Sequence, residues 1–124
     1  MTEEIIIAGF GGQGILFAGK ALAYGGLIDG QEVSWLPSYG PEMRGGTANC
    51  SVCISDTPIG SPLVLEPDLL IAMNTPSYQK FINAVKPGGK VFIDSTMIEE
   101  KSDRADIECS YVPATQLATD NGLN

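Results

Sequence analysis

Two glycine-built segments carry the residues of this chain best suited to holding a ligand. The first, Gly9-Phe10-Gly11-Gly12-Gln13-Gly14, follows the apolar run Ile5-Ile6-Ile7-Ala8 and precedes a helical pattern. Glycines between a strand and a helix let backbone approach an anionic or polar group, which makes Gly9, Gly11, Gly12, Gln13 and Gly14 candidate binding or interface residues. The second is Ser38-Tyr39-Gly40-Pro41-Glu42-Met43-Arg44-Gly45-Gly46. Here Gly40, Pro41, Gly45 and Gly46 fix the path of the backbone, so that Tyr39, Glu42, Met43 and Arg44 are presented in a defined geometry. Arg44 is suited to fork onto a carboxylate or phosphate, or to pair with Glu42 across an interface. Neither residue alone makes a catalytic centre, and no catalytic residue is assigned.

Each segment also has a plainer reading. The first set of glycines serves equally for tight packing of a helix on a strand, with Gln13 capping that helix or reaching to a neighbouring loop. The second segment serves equally as a rigid loop that docks a partner. A free-standing dinucleotide site is disfavoured, because the acid that would grip a ribose is missing. Glu32 begins the second strand, whose end reads Trp35-Leu36-Pro37.

Composition narrows the chemistry further. The chain has 124 residues, no histidine and a formal net charge of -8. Without histidine it supplies no Ser-His pair, no Cys-His pair and no imidazole metal ligand. The acidic balance and scattered basic residues argue against nucleic acid and anionic membrane surfaces as partners. No apolar stretch reaches the roughly 20 residues needed to span a bilayer, and Glu3 and Glu4 stand where a signal peptide needs positive charge, so a cytoplasmic location is expected. Cys50 and Cys53 form a C-x-x-C inside an alternating run, Ala48 to Ser55. Residues three apart on a strand face opposite sides, so buried packing is preferred to a shared metal, with Cys109 as a third buried thiol.

The elements that must position these groups alternate between strand and helix. Strands are expected at Glu4 to Ala8, Glu32 to Leu36, Thr47 to Ser55, Leu69 to Met73, Lys90 to Ile93 and Ile107 to Val112. A helix is expected from Gly12 to Tyr24, stopped by Gly25-Gly26. Another starts from a Thr75 cap with Pro76 in its first turn and runs to Val85. A turn at Asp56 to Gly60 should lead to an extended piece, Pro62 to Leu65, returning beside the third strand. The fold class that follows is α/β in three layers (α/β/α), a Rossmann-like single domain over residues 1–124 with a mixed, mostly parallel sheet. The first helix, Ile15 to Tyr24, has Lys20 as its one charge. An outer-layer helix normally shows a polar face, so a partner is expected to cover this one. A terminal helix is begun at Thr115 and barely extends.

Taken together, Gly9 to Gly14 opening a helix and the later run Pro37 to Ala48 resemble the gamma subunits of the 2-oxoacid:ferredoxin oxidoreductases. Ile59-Gly60-Ser61-Pro62, Pro67-Asp68 and Pro113-Ala114-Thr115 extend the resemblance over nearly the whole chain. The S-Y-G-P-E-M-R-G-G form of the second segment is most similar to the 2-oxoglutarate branch. Family gamma subunits continue for several tens of residues more, so the chain is expected to lack the family's C-terminal helical extension. The resemblance implies a complex that decarboxylates a 2-oxoacid, reduces ferredoxin and transfers the acyl group to coenzyme A. It further implies that thiamine diphosphate, magnesium and iron–sulfur clusters belong to the assembled complex, with alpha and beta subunits as partners and no cofactor bound by this chain alone. The competing expectation is a stand-alone nucleotide- or dinucleotide-binding protein.

Overall fold

The computed structural model describes residues 2–10, 15–38, 47–61, 63–99, 101–102 and 104–120. A six-stranded sheet runs in the order β2-β3-β1-β4-β5-β6, formed by Thr2–Phe10 (β1), Glu32–Ser38 (β2), Thr47–Ser55 (β3), Leu69–Ala72 (β4), Lys90–Asp94 (β5) and Glu108–Val112 (β6). The helices are Ile15–Ile28 (α1), Thr75–Phe81 (α2), which continues into a 3-10 turn over Ile82–Ala84, and Ala114–Asp120 (α3).

β3 pairs antiparallel with both β1 and β2, whereas β1, β4, β5 and β6 pair in parallel. β3 is therefore the one strand of this sheet that descends. The mixed, mostly parallel sheet is as expected, but its antiparallel component has another origin. Of the extended piece expected at Pro62 to Leu65, Pro62 lies outside the described residues and residues 63–65 form no strand, because both edges of β3 are already taken by β1 and β2. Val64 is buried instead, and its amide donates to the Ser51 hydroxyl at 3.4 Å.

The alternation of β1 divides the core. Ile6 and Ala8 join Leu70, Ala72, Tyr78, Val91 and Ile93 on the α2 side. Ile5 and Ile7 join Cys50 and Val52 on the other side, against Leu22 and Ala23 of α1 and Trp35 of β2. Cys50 and Cys53 thus fall in opposite cores, as strand geometry requires. Cys109 is half-buried rather than buried.

Two helix boundaries differ from expectation for local reasons. α1 runs through Gly25 and Gly26 to Ile28, because Gly26 lies over the Ile54 side chain, where a Cβ would come within 3.3 Å. The helix ends instead at Gly30, with φ 79°, where Gly30 donates to the Leu27 carbonyl and Gln31 to that of Gly26. These two bonds form a Schellman cap, which favours glycine at the left-handed position. At α2 the cap is Asn74, not Thr75; its Oδ1 accepts from the Ser77 amide at 3.0 Å.

Candidate functional site

The upper edge of the sheet, where β1, β2, β4, β5 and β6 end and β3 begins, gathers the polar groups of interest. Phe10 at the end of β1 is the register partner of Thr47, and Ser38 at the end of β2 lies opposite Asn49. β1 and β2, which lead into the two glycine-built segments, thus flank β3, which leaves the second, at this edge. Gly9 is buried within β1, opposite Ala48. Gly11, Gly12, Gln13 and Gly14 lie outside the described residues, as do Tyr39, Gly40, Pro41, Glu42, Met43, Arg44, Gly45 and Gly46.

Crossovers leave β1 and β4 in opposite directions: α1 carries the chain to β2 across one face, and α2 carries it to β5 across the other. β1 and β4 therefore flank a topological switch point, the place where open α/β sheets receive ligands. Asn74 sits there, 1% exposed, just beyond β4. Its Oδ1 is used in capping α2, while its Nδ2 hydrogens have no acceptor among the described residues. A buried amide donor left unpaired costs about 1–3 kcal/mol, so an acceptor from a ligand or partner would be stabilising here.

Asp94, at the end of β5, is 2% exposed and organises the neighbouring turn. Its carboxylate accepts from the Thr115 hydroxyl, from the Thr96 amide at 3.1 Å and from the Thr115 amide at 3.4 Å. The Thr96 hydroxyl in turn accepts from the Gln116 amide at 3.1 Å. A carboxylate beside these amides serves the start of α3 as a capping side chain would, supplied from a strand.

Neither Asn74 nor Asp94 was singled out by sequence reasoning. A polar residue directly after a run of apolar strand residues was the available signal, at Leu69-Leu70-Ile71-Ala72-Met73-Asn74 and Val91-Phe92-Ile93-Asp94.

A second surface lies along α1. Tyr24 is 62%, Leu27 61% and Ile28 73% exposed, and Ala18 and Ala21 are exposed beside them. A shallow groove of about 260 Å³ separates Lys20, Tyr24 and Leu27 from Val33 and Trp35 of β2. Beneath it, Gly19 packs directly on Cys50 and Trp35. Burial raises the Cys50 thiol above its usual range, partly opposed by the Trp35 indole N–H, which meets this weak sulfur acceptor and, among the described residues, no stronger one.

The three cysteines do not fit an iron–sulfur cluster. Cys50 and Cys53 face opposite cores, and Cys109 lies on β6, with β1, β4 and β5 between it and β3. Among the described residues, no group of three or more Cys, Asp or Glu side chains is placed to hold a metal, and no helix is long and apolar enough to cross a membrane.

Residues 4–124 match the family model described as pyruvate ferredoxin/flavodoxin oxidoreductase. The chain is 45% identical over 119 residues to the ketoisovalerate oxidoreductase subunit VorA of Methanothermobacter marburgensis, which aligns with 96% of this chain and 25% of that one. It is 38% identical over 122 residues to the 2-oxoglutarate synthase subunit KorC of Methanocaldococcus jannaschii, across 97% of this chain and 65% of the relative. Among solved structures, the gamma subunit of keto/oxoacid ferredoxin oxidoreductase from Geobacter sulfurreducens superposes with a TM-score of 0.85 at 29% identity. That superposition covers 98% of this chain and 66% of the Geobacter subunit. This chain thus spans less than two thirds of the length of the curated relatives described here.

Proposed function

Because this chain belongs to the pyruvate ferredoxin/flavodoxin oxidoreductase family, we propose that it serves as a gamma subunit of a cytoplasmic 2-oxoacid:ferredoxin oxidoreductase. The proposed reaction of the complex is oxidative decarboxylation of a 2-oxoacid to an acyl-coenzyme A with reduction of ferredoxin. The second glycine-built segment favours 2-oxoglutarate as that acid, by its likeness to that branch. The carbon chemistry belongs to thiamine diphosphate and magnesium on the alpha and beta subunits, and the electrons pass through iron–sulfur clusters outside this chain.

The observation that carries this reading is the apolar outer face of α1. Tyr24, Leu27 and Ile28 stand in solvent on a helix whose one charge is Lys20, an arrangement suited to burial against another subunit. The role of the chain is then to form an accessory wall of the active complex. α1 and the segment Gly9 to Gly14 dock the thiamine-binding subunits. The segment Tyr39 to Gly46 shapes the substrate or coenzyme A side, with Arg44 complementary in charge to a carboxylate. The Asn74 amide, without an acceptor among the described residues, adds a donor at the same sheet edge.

Co-expression with candidate alpha and beta subunits, followed by purification through a tag on this chain, tests the reading. Recovery of a complex that reduces ferredoxin only with a 2-oxoacid and coenzyme A is expected. A solitary chain that retains a stoichiometric nucleotide would replace it with the stand-alone alternative.

A further inference from the structure

β2 and β6 are the margins of the sheet, each with one strand neighbour among the described residues. At β2, Pro37 lacks an N–H and so guards the upper end of the outer edge, a common protection of edge strands. Glu32 to Leu36, five residues or about 17 Å of strand, contain no proline, and Glu32 is their one charge. An edge so weakly guarded is a template for a further strand.

Both faces beside this edge carry exposed apolar side chains. Alternation sends Val33 and Trp35 to the α1 side, where they wall the groove opposite Tyr24 and Leu27. Leu36 points to the opposite face and is 36% exposed. Its register partner Ser51 accepts the Val64 amide, which lays residues 63–65 over that face beside Leu36. Leu63 and Leu65, on either side of the buried Val64, are 53% and 71% exposed. Ser34 has a buried hydroxyl without a hydrogen-bond partner among the described residues. Apolar surface on both faces of one edge strand suits a sheet that continues, because strands inside a sheet of this class are covered on both sides.

We propose that the partner subunit covering α1 also adds an extended segment to the outer edge of β2, from Glu32 to Leu36, so that the sheet continues into the partner. Main-chain hydrogen bonds hold that segment. Its side chains alternate between the groove beside Tyr24 and Leu27 and the patch of Leu36, Leu63 and Leu65, so it is apolar on both faces. A second copy of this chain is the poorer occupant, because it sets another net charge of -8 against the first. The inference rests on the subunit reading above and specifies the contact by which that docking is made.

Amide hydrogen exchange, read at single residues in the chain alone and in the complex purified through its tag, tests the added strand. In an antiparallel pair each strand turns alternate N–H groups toward its neighbour, so β3 protects only every second amide of β2. The other amides between Val33 and Leu36 should exchange freely in the lone chain and at least tenfold more slowly in the complex, while those bonded to β3 change less. A complex in which they exchange as fast as in the lone chain would overturn the added strand and leave the subunit reading standing. Failure to recover any complex would overturn both. Slow exchange of these amides already in the lone chain would overturn the proposal in favour of a second copy if light scattering reports a dimer, and in favour of cover by this chain's own segments if it reports a monomer.

Discussion

The sulfur of Cys50 in β3 occupies the space that a Cβ on Gly19 of α1 would need. Helix and sheet touch backbone to side chain at this point, with the Trp35 indole closing the contact on its other side, where the same Cβ would stand 3.0 Å from Nε1. Gly19→Ala should therefore destabilise the fold by about 1–3 kcal/mol through overpacking, despite the better helix propensity of alanine. Denaturant unfolding measures it. A Gly19→Ala chain as stable as the parent would show that α1 moves away from β3 at little cost.

Asp94 and Thr115 make the second prediction. Thr115→Val keeps the shape of the side chain and deletes the hydroxyl that donates to the buried carboxylate. A hydrogen bond to a charged group contributes about 1.5–3 kcal/mol, and its loss should free α3 before the rest of the sheet. Amide exchange at Leu117, which donates to the Pro113 carbonyl, should accelerate while exchange in β1 and β4 stays as it was. Equal acceleration everywhere would mean that α3 unfolds only with the whole domain.

An acid-side prediction comes from Arg104 and Asp106. The Arg104 guanidinium donates to both carboxylate oxygens of Asp106, at 2.9 and 2.8 Å, and holds that carboxyl below its usual range. The folded chain then binds fewer protons than the unfolded one, so this contribution is present above about pH 4 and is lost as the pH falls below that value. Asp106→Asn should flatten the dependence of the melting temperature on pH in that acid window. An unchanged acid limb would show that the exposed pair is fully screened.

At alkaline pH the sign reverses. Burial raises Cys50, so the folded chain keeps a thiol proton that the unfolded chain releases above about pH 8.5. Stability should decline as the pH rises through that region, and Cys50→Ser should make the decline shallower. Matching slopes in the two chains between pH 8 and 10, as approximate limits, would assign the loss to other groups.

For the docking face, Ile28→Glu is the sharper probe. Its side chain is 73% exposed, so the change in stability of the isolated chain should stay within about 0.5 kcal/mol. Recovery of the partner subunits through this chain should nonetheless fall at least tenfold. Full recovery would move the interface elsewhere.

Legibility in the sequence followed the locality of the interactions. Ile5-Ile6-Ile7-Ala8 and Leu69-Leu70-Ile71-Ala72 read as central strands because both of their faces are apolar, and they pair with each other in the sheet. The nearly uncharged run around Lys20 read as a helix, and α1 occupies it with Tyr24, Leu27 and Ile28 exposed. Gly25-Gly26 misled, since the reason for a glycine at position 26 lies on Ile54, far along the chain. Residues 63–65 misled in the same way, because which strands take the edges of β3 is decided by β1 and β2. Asp94 was invisible for want of Thr115, its partner 21 residues later. Of the two glycine-built segments, nearly all residues lie outside the described ones; β1 and β2, which lead into them, each pair with β3 at one edge of the sheet.

β1 is flanked by β3 and β4, which places the earliest of the six strands to leave the ribosome at the middle of the sheet. Thr2 pairs with Ser55 and Ala8 with Ala72, so no long-lived sheet can form around β1 until β3 and β4 have both been made. During that interval Ile5, Ile6 and Ile7 have neither neighbour. The nascent chain carries one of its stickiest segments exposed throughout, and the pace of synthesis through β3 and β4 sets how long that exposure lasts.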